Sequence, residues 1–420
     1  MSDERSLSGL RSCPTARDSD RIVISHEGVH KNQAHENHSG GIAAPPRVDR
    51  SSAKALADEA VRPRGRYETA VFHGSGGFES VREHWEALAP HAHLYTQLPE
   101  WVENLDPEGI CWLVVTDDDG PVAAAALLPR RMNVLGKGIR ILSGVRQTLD
   151  GVHGRDLGAG ALAIANPKAD ARAIVDSLLR GYRRSGSKWD VLLLRELRES
   201  SLWVAAPNFG ILAPDGGSPF LETAKPSVQF WAEASKNLKH GLTASRKRME
   251  RERRRSVVVE ARTPSEVAFA FQQFVALEGK GWKRDVGAFV NRPETAEFMR
   301  RFFVSAARAG RVKVRSLLID DCLAACQLSV QVQDTLFLMK IAYDEELRHL
   351  SAGNILLADL ISKSCEDPTI NRIDCGQWAS WHDRWGMEVA PRYRLVAFNH
   401  RSATALVARA ALKGLEVVGK

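Results

Sequence analysis

The chain has no apolar run long enough to cross a bilayer; its longest, Val122 to Leu128, falls far short of the roughly 20 residues a spanning helix needs. Its first thirty residues are too charged for a signal peptide, and together these absences point to the cytoplasm. Cysteine is sparse: Cys13, Cys111, Cys322, Cys326, Cys365 and Cys375 are the only six in 420 residues. None forms a CxxC pair, which excludes a disulfide framework and reads them as reduced, mostly buried thiols. The one ligand-rich cluster, His35, Glu36 and His38, sits in a segment too polar to hold a fixed geometry, so no metal site is expected. The glycine-rich string Phe72-His73-Gly74-Ser75-Gly76-Gly77 lacks the Lys-Ser/Thr ending of a phosphate loop and the Gly-x-Ser-x-Gly elbow of a hydrolase.

What remains is a long, basic chain with 44% hydrophobic residues, enough for at least two buried cores. Residues 1–65 carry ten bases and nine acids among Ser, Gly, His and Pro, with one short apolar cluster at Ile22 to Ile24, and read as a disordered tail. Residues 66–225 alternate strand and helix signals: strands ending at Phe72, over Ile110–Val115, Val122–Leu128 and Trp189–Leu194, with helices over Phe78–Leu88 and Ala169–Tyr182.

Residues 226–420 repeat that order with cleaner punctuation. After a strand at Ser256–Ala261, Thr263-Pro264-Ser265-Glu266 is a capping box with proline in the first turn, followed by Val267, Phe271, Phe274 and Val275 at helical spacing. A second helix begins near Asn291–Glu294 and stops at Gly310. Three strands, Val312–Ile319, Leu323–Val332 and Leu336–Tyr343, are separated by Asp320-Asp321 and Gln333-Asp334, spacing that predicts consecutive antiparallel pairing. A helix over Asn354–Cys365, a strand at Arg372–Cys375, a short helix near Trp381 and a strand at Arg394–Asn399 complete the pattern. The net charge of +7 is concentrated: Arg246 to Arg255 holds seven bases against Glu250 and Glu252. That stretch reads either as a solvated helix face or as a contact for an anionic partner such as a polymer, a nucleotide-linked sugar or tRNA.

The order of elements in the second half is that of GNAT acetyltransferases, which hold acyl-CoA pyrophosphate on main-chain N–H groups in an Arg/Gln-x-x-Gly-x-Gly/Ala loop between a strand and a helix. Arg348, Ser351, Ala352, Gly353 and Asn354 stand in that context, with Ser351 where the first glycine is usual. Arg155 to Gly160 fits the letters better, but Pro167 and several apolar residues delay the next helix, so it reads as a loop. Longer strings, Glu278-Gly279-Lys280-Gly281-Trp282-Lys283, Lys340-Ile341-Ala342-Tyr343-Asp344 and Leu350 to Leu356, resemble the CelD/BcsL-type acetyltransferases associated with cellulose biosynthesis; Phe230-Trp231 through Arg255 is also similar. The likeness covers about residues 228–386, departs at Ala352 where proline is frequent, and extends distantly to Fem-type ligases, which are built from two GNAT-like halves and use aminoacyl-tRNA. It implies an α/β fold of tandem GNAT-like domains, a mixed, mainly antiparallel sheet flanked by helices, the N-terminal half degenerate. The implied activity is transfer of an acyl group, acetyl first, from acyl-CoA to a hydroxyl or amine of a carbohydrate, envelope or exopolysaccharide precursor. A Fem-like ligase and a non-catalytic module assisting a polysaccharide synthase are the alternatives.

Acyl transfer needs a base, donors for the oxyanion and an acid for the leaving thiolate. Glu278, at a helix end, is the leading base, its bland alternative being a solvated carboxylate. Lys340 lies in an otherwise apolar strand, where a cation is costly unless paired or facing a cleft, and the Fem resemblance implies a role near the donor. Tyr343 is the candidate acid, Asp344 a further candidate or a turn residue, and His382 a second base. Trp282, Lys283, Trp378 and Trp381, with Trp385, are expected around the cleft mouth, as stacking faces for a sugar or adenine or as core.

Overall fold

The computed structural model describes residues 67–406 and 409, apart from 75, 106–107, 135–136, 146–161, 207, 282–283, 285–287 and 377. The expected tail, the His35 cluster, the Arg155–Gly160 string, Trp282 and Lys283 lie outside the described residues.

The first half runs β1 (Glu68–His73), α1 (Gly77–Leu88), α2 (Pro99–Val102), β2 (Cys111–Asp117), β3 (Gly120–Val134), β4 (Lys137–Gly144), β5 (Ala163–Ala165), α3 (Ala171–Arg184), β6 (Val191–Leu197), α4 (Leu202–Ala205) and β7 (Ile211–Glu222). The second runs α5 (Ser227–Glu233), α6 (Lys236–Arg251), β8 (Ser256–Ala261), α7 (Pro264–Glu278), α8 (Pro293–Arg308), β9 (Val312–Ile319), β10 (Cys322–Val332), β11 (Thr335–Tyr343), α9 (Ala352–Glu366), β12 (Arg372–Asp374) and β13 (Glu388–Phe398). The capping box forms as read: Thr263 and Glu266 satisfy each other's backbone N–H groups at the start of α7. Gly310 ends α8 with a φ of +68°, a conformation open to a residue without Cβ.

All thirteen strands join one sheet, ordered β1-β2-β3-β4-β6-β13-β7-β12-β11-β10-β9-β8, with β5 beside β3. Pairing is antiparallel except for β4 with β6 and β11 with β12, so each half contains one parallel neighbour pair at the equivalent place. The last strand of each half is exchanged: β7 pairs with β12, and β13 pairs with both β6 and β7. The expected boundary at 225/226 thus falls between β7 and α5, while the sheet runs through it.

Helices cover both faces. On one face α1, α2, α7 and α8 share a single core that spans the halves, where Trp101 stacks edge-on against Phe298 and Phe302 at 4.8 and 4.9 Å and Tyr95 meets Phe337 at 5.3 Å. The other face has separate cores, one under α3 and α4 and one under α5, α6 and α9. Four described cysteines are free, but Cys322 is disulfide-bonded, which corrects the reading of all six as thiols. Among the described residues no helix is long and apolar enough to cross a membrane, and no group of three or more His, Cys, Asp or Glu could hold a metal ion.

Candidate active site

β11 carries the site. It pairs with β12 only through Thr335, Leu336 and Phe337; past the Phe337–Asp374 pair the two parallel strands part. On its other edge the register to β10 slips between Leu328, opposite Lys340, and Ser329, opposite Leu338, leaving Met339 as a bulge. A bulge shifts the alternation of side chains, and Lys340 accordingly joins the α7 and α8 face, with its ammonium 3.8 Å above the Phe289 ring and 2.9 Å from Glu278 Oε1.

Glu278 and Lys340 are both buried, their side chains 0% and 8% exposed. An ammonium in an apolar strand requires a partner, and Glu278 supplies it from the last residue of α7. Glu278 Oε2 accepts a 2.9 Å hydrogen bond from the Phe289 N–H. Oε1 and Lys340 Nζ make no hydrogen bond; their contact has ion-pair distance without hydrogen-bond alignment. The pair therefore offers one carboxylate oxygen free to accept a proton and one ammonium with undirected donors, which suits a developing oxyanion. The helix-end position had left a solvated carboxylate open, and burial removes that reading.

On the opposite side of β11 the chain turns through a 3-10 segment, Arg348–Leu350, into α9. The junction residue Ser351 takes left-handed dihedrals, φ 54° and ψ 39°, where the related loops carry glycine. No side chain caps α9; the Asn354 N–H donates to the Ser351 carbonyl at 2.9 Å, and the N–H groups of Ala352 and Gly353 are left without a partner within the helix. They face a cavity of about 270 Å³ lined by Tyr343, Arg348, Ser351, Ala352, Gly353, Asn354, Trp381 and Arg384 among others. A Cβ on Gly353 would stand 3.3 Å from Tyr343 Cδ1, a tight contact that a shift of a few tenths of an ångström in the exposed Tyr343 ring relieves. Arg348 and Arg384 are exposed and have no ion-pair partner among the described residues. Two unpartnered N–H groups at a helix N-terminus and two free guanidinium groups form an arrangement suited to a polyphosphate.

The other expected residues fall elsewhere. Asp344 is a turn residue whose Oδ1 accepts from the Glu346 N–H at 2.9 Å. Trp378 is exposed and donates to Asp383 at 3.3 Å, away from the cavity. The expected tryptophan cluster does not form among the described residues, because Ser380–Trp385 is a 3-10 turn in which residues three apart share a face. Trp381 and Arg384 line the cavity; His382 is buried with its ring 3.7 Å from that of Trp381, and Trp385 is buried in the core under α5, α6 and α9. His382 accepts from the Ala379 N–H at 2.8 Å and leaves its buried Nε2 without a partner, and burial lowers its pKa. The basic run is exposed at Arg246, Lys247, Arg251, Arg253 and Arg255, and α6 is tied to the donor-side loop by Arg248, whose guanidinium donates to the His349 carbonyl.

Phe289 and Arg384 were not singled out from sequence. Nothing local marks Phe289 as the lid of an ion pair, and Arg384 emerges only from the 3-10 periodicity.

Comparison with known proteins bears on the fold. The sequence model of the acetyltransferase (GNAT) domain family matches residues 236–380. No curated protein matches. Among solved structures the chain is similar to FemX at 10% identity and TM-score 0.52, over 79% of this chain and 98% of that one. It is also similar to the C-terminal domain of a putative lysylphosphatidylglycerol synthetase from Agrobacterium fabrum (13% identity, 80% and 97% covered, TM-score 0.47). A tandem GNAT protein from the clavulanic acid pathway matches at 14% identity, 80% and 100% covered, TM-score 0.41. At these identities the likeness concerns the fold, which is GNAT-like.

Proposed function

We propose that the protein transfers an acyl group, acetyl in the first instance, from acyl-CoA to a hydroxyl or amine of a carbohydrate. The observation that carries this is the uncapped N-terminus of α9 with Arg348, Arg384 and Gly353 around a cavity on one side of β11, and the Glu278–Lys340 pair on the other. The pyrophosphate would lie on the α9 N–H groups between the two guanidinium groups. Its reactive end would reach Lys340 where β11 and β12 part. The acceptor's nucleophile attacks the thioester carbonyl carbon; the Lys340 ammonium steadies the oxyanion, and Glu278 Oε1 takes the nucleophile's proton. Collapse breaks the C–S bond, sulfur keeps the electron pair, and the Tyr343 hydroxyl protonates it. A carbohydrate acceptor rests on the resemblance of Glu278–Lys283 and Lys340–Asp344 to the CelD/BcsL-type family.

A second reading has one specific observation in its favour: Arg248 ties the Arg-rich α6 to the donor loop, so a donor carried on a polyanion such as aminoacyl-tRNA would meet exposed bases beside that loop. Mass spectrometry of ligands retained by the purified full chain separates the two. Retained CoA or acyl-CoA supports the first, retained tRNA the second, and acyl-CoA that is bound but never turned over with carbohydrate or amine acceptors supports a non-catalytic module.

A further inference from the structure

A cavity of about 890 Å³ lies at the seam between the halves, apart from the cavity at the start of α9. Its floor is formed by Phe220 of β7, Phe337 of β11, Asp374 of β12 and the start of β13; its rim comes from the first half, at His93 and Arg198–Ser200. One wall is rigid. Asp374 receives both Arg198 Nη atoms at 2.7 and 3.2 Å and the Ser218 hydroxyl at 2.8 Å. Behind it Arg392 bridges Glu196 and Ser218, at 2.6 and 3.1 Å.

Charge and shape limit what this cavity can hold. Its cations are already neutralised, Arg198 by Asp374 and Arg372 by Glu222 at 2.8 Å. Glu199 and Glu388, both exposed on the lining, have no ion-pair partner among the described residues, so the unbalanced charge is negative. An anionic nucleotide sugar would be repelled, whereas a cation would be drawn in. Planar hydrogen-bonding groups, the Ser200 and Thr335 hydroxyls and the Phe220 and Phe337 rings suit a compact ring bearing several hydroxyls. His93 Nε2, buried without a partner, adds another orphaned polar atom at the rim.

Position decides the role. Phe337 lines this cavity, Lys340 follows three residues on with Glu278 and on the same face of the sheet, and Ile341 and Tyr343 line the donor cavity. At a strand rise of about 3.3 Å, Lys340 is roughly 10 Å from both Phe337 and Tyr343. The seam cavity, the ion pair and the donor cradle therefore follow one another along a single strand.

We propose that the seam cavity is the acceptor site and that it takes a protonated amino sugar, with Glu199 and Glu388 selecting its charge. The assignment of acceptor role rests on the acyl-transfer reading above. The reaction converts the sugar ammonium and acyl-CoA into the amide, CoA thiol and one proton: the ammonium first loses a proton, the free amine forms the C–N bond, and the C–S bond breaks with its electrons on sulfur.

Calorimetry or saturation-transfer NMR on the full chain, with glucosamine, glucose and a nucleotide-linked N-acetylated sugar as probes, tests this. Glucosamine should bind most tightly. Glu199→Gln and Glu388→Gln, exposed changes that spare the fold, should each weaken it by about fivefold, the worth of one exposed charge pair, and leave glucose unchanged. Glu388→Lys should shift preference toward the nucleotide sugar. Equal binding of glucosamine and glucose, tighter binding of the nucleotide sugar to the unaltered protein, no binding of any probe, or indifference to both glutamates would overturn the proposal. Failure of the donor reading looks different: glucosamine would bind through Glu199 and Glu388 while acyl-CoA did not bind at all.

Discussion

Breaking the Glu278–Lys340 pair from either side, and then from both, measures how far the interior of this site depends on its charges. At 2.9 Å, with an effective dielectric constant of about 20, the Coulomb attraction is of order 6 kcal/mol, an upper bound that desolvation reduces. Removing one partner of such a buried pair costs about 3–5 kcal/mol, because the other charge is left unpaired. Lys340→Met should fall in that range, since the stranded carboxylate retains only the Phe289 N–H. Glu278→Gln should cost less, by about 1–2 kcal/mol, because the ammonium still lies 3.8 Å above the Phe289 ring. Combining Glu278→Gln with Lys340→Met removes both charges and should recover more than about 2 kcal/mol relative to the sum of the single losses. Urea unfolding midpoints at pH 7 supply the stabilities. Single losses below about 1 kcal/mol, or strict additivity, would refute the buried-pair argument. The same Glu278→Gln protein addresses chemistry. Turnover should drop by about 100-fold to 10,000-fold while CoA affinity holds, and unchanged turnover removes Glu278 from the mechanism.

Two further outcomes follow from single residues. Asp190, with its side chain fully buried, is held at a pKa of about 2, mainly by hydrogen bonding from Arg140, with burial opposing and Ser402 assisting. A carboxyl depressed below its unfolded value near 4 contributes stability above that pH and loses it as pH falls toward 2, so the stability gap between the wild-type protein and Asp190→Asn should narrow by about 2 kcal/mol from pH 6 to pH 2; a gap independent of pH contradicts the assignment. Ser351→Gly relieves a left-handed serine and should raise stability by about 1 kcal/mol in urea unfolding with CoA affinity unchanged, whereas destabilisation would mean that the serine side chain has a role of its own.

Much of the second half could be read because its ends are chemically marked. Thr263 with Glu266 announces α7, Gly310 closes α8, and the Asp320-Asp321 turn, with φ of 50° and 62°, separates β9 from β10. The strand–loop–helix order around Arg348–Gly353 was legible for a related reason, since the three segments are consecutive in the chain. β7 was not. No strand was expected there, since Pro214, Gly216, Gly217 and Pro219 disfavour one, yet it runs through the middle of the sheet. β7 carries a bulge there, Asp215 and Gly216 standing opposite Arg392 alone, and a Cβ on Gly217 would sit 2.2 Å from Val389 Cγ1. Close packing between β7 and β13 thus needs the glycine that disguised the strand. Long-range partnerships were equally hidden: Glu278 and Lys340 were each singled out, but no local pattern says that they meet, and the Arg198–Asp374 contact exists only because the halves exchange their last strands.

The central claim is that an acyl-CoA donor lies on the α9 N-terminus, and calorimetric titration of acetyl-CoA into the wild-type chain and Gly353→Trp tests it most directly. A side chain at Gly353 starts 3.3 Å from Tyr343 and projects into a cavity of about 270 Å³, leaving no room for a pyrophosphate. The account predicts saturable binding to the wild-type protein and none to a Gly353→Trp protein that unfolds at the same urea concentration. Equal affinity in both, or no heat of binding in a folded wild-type protein, would contradict it.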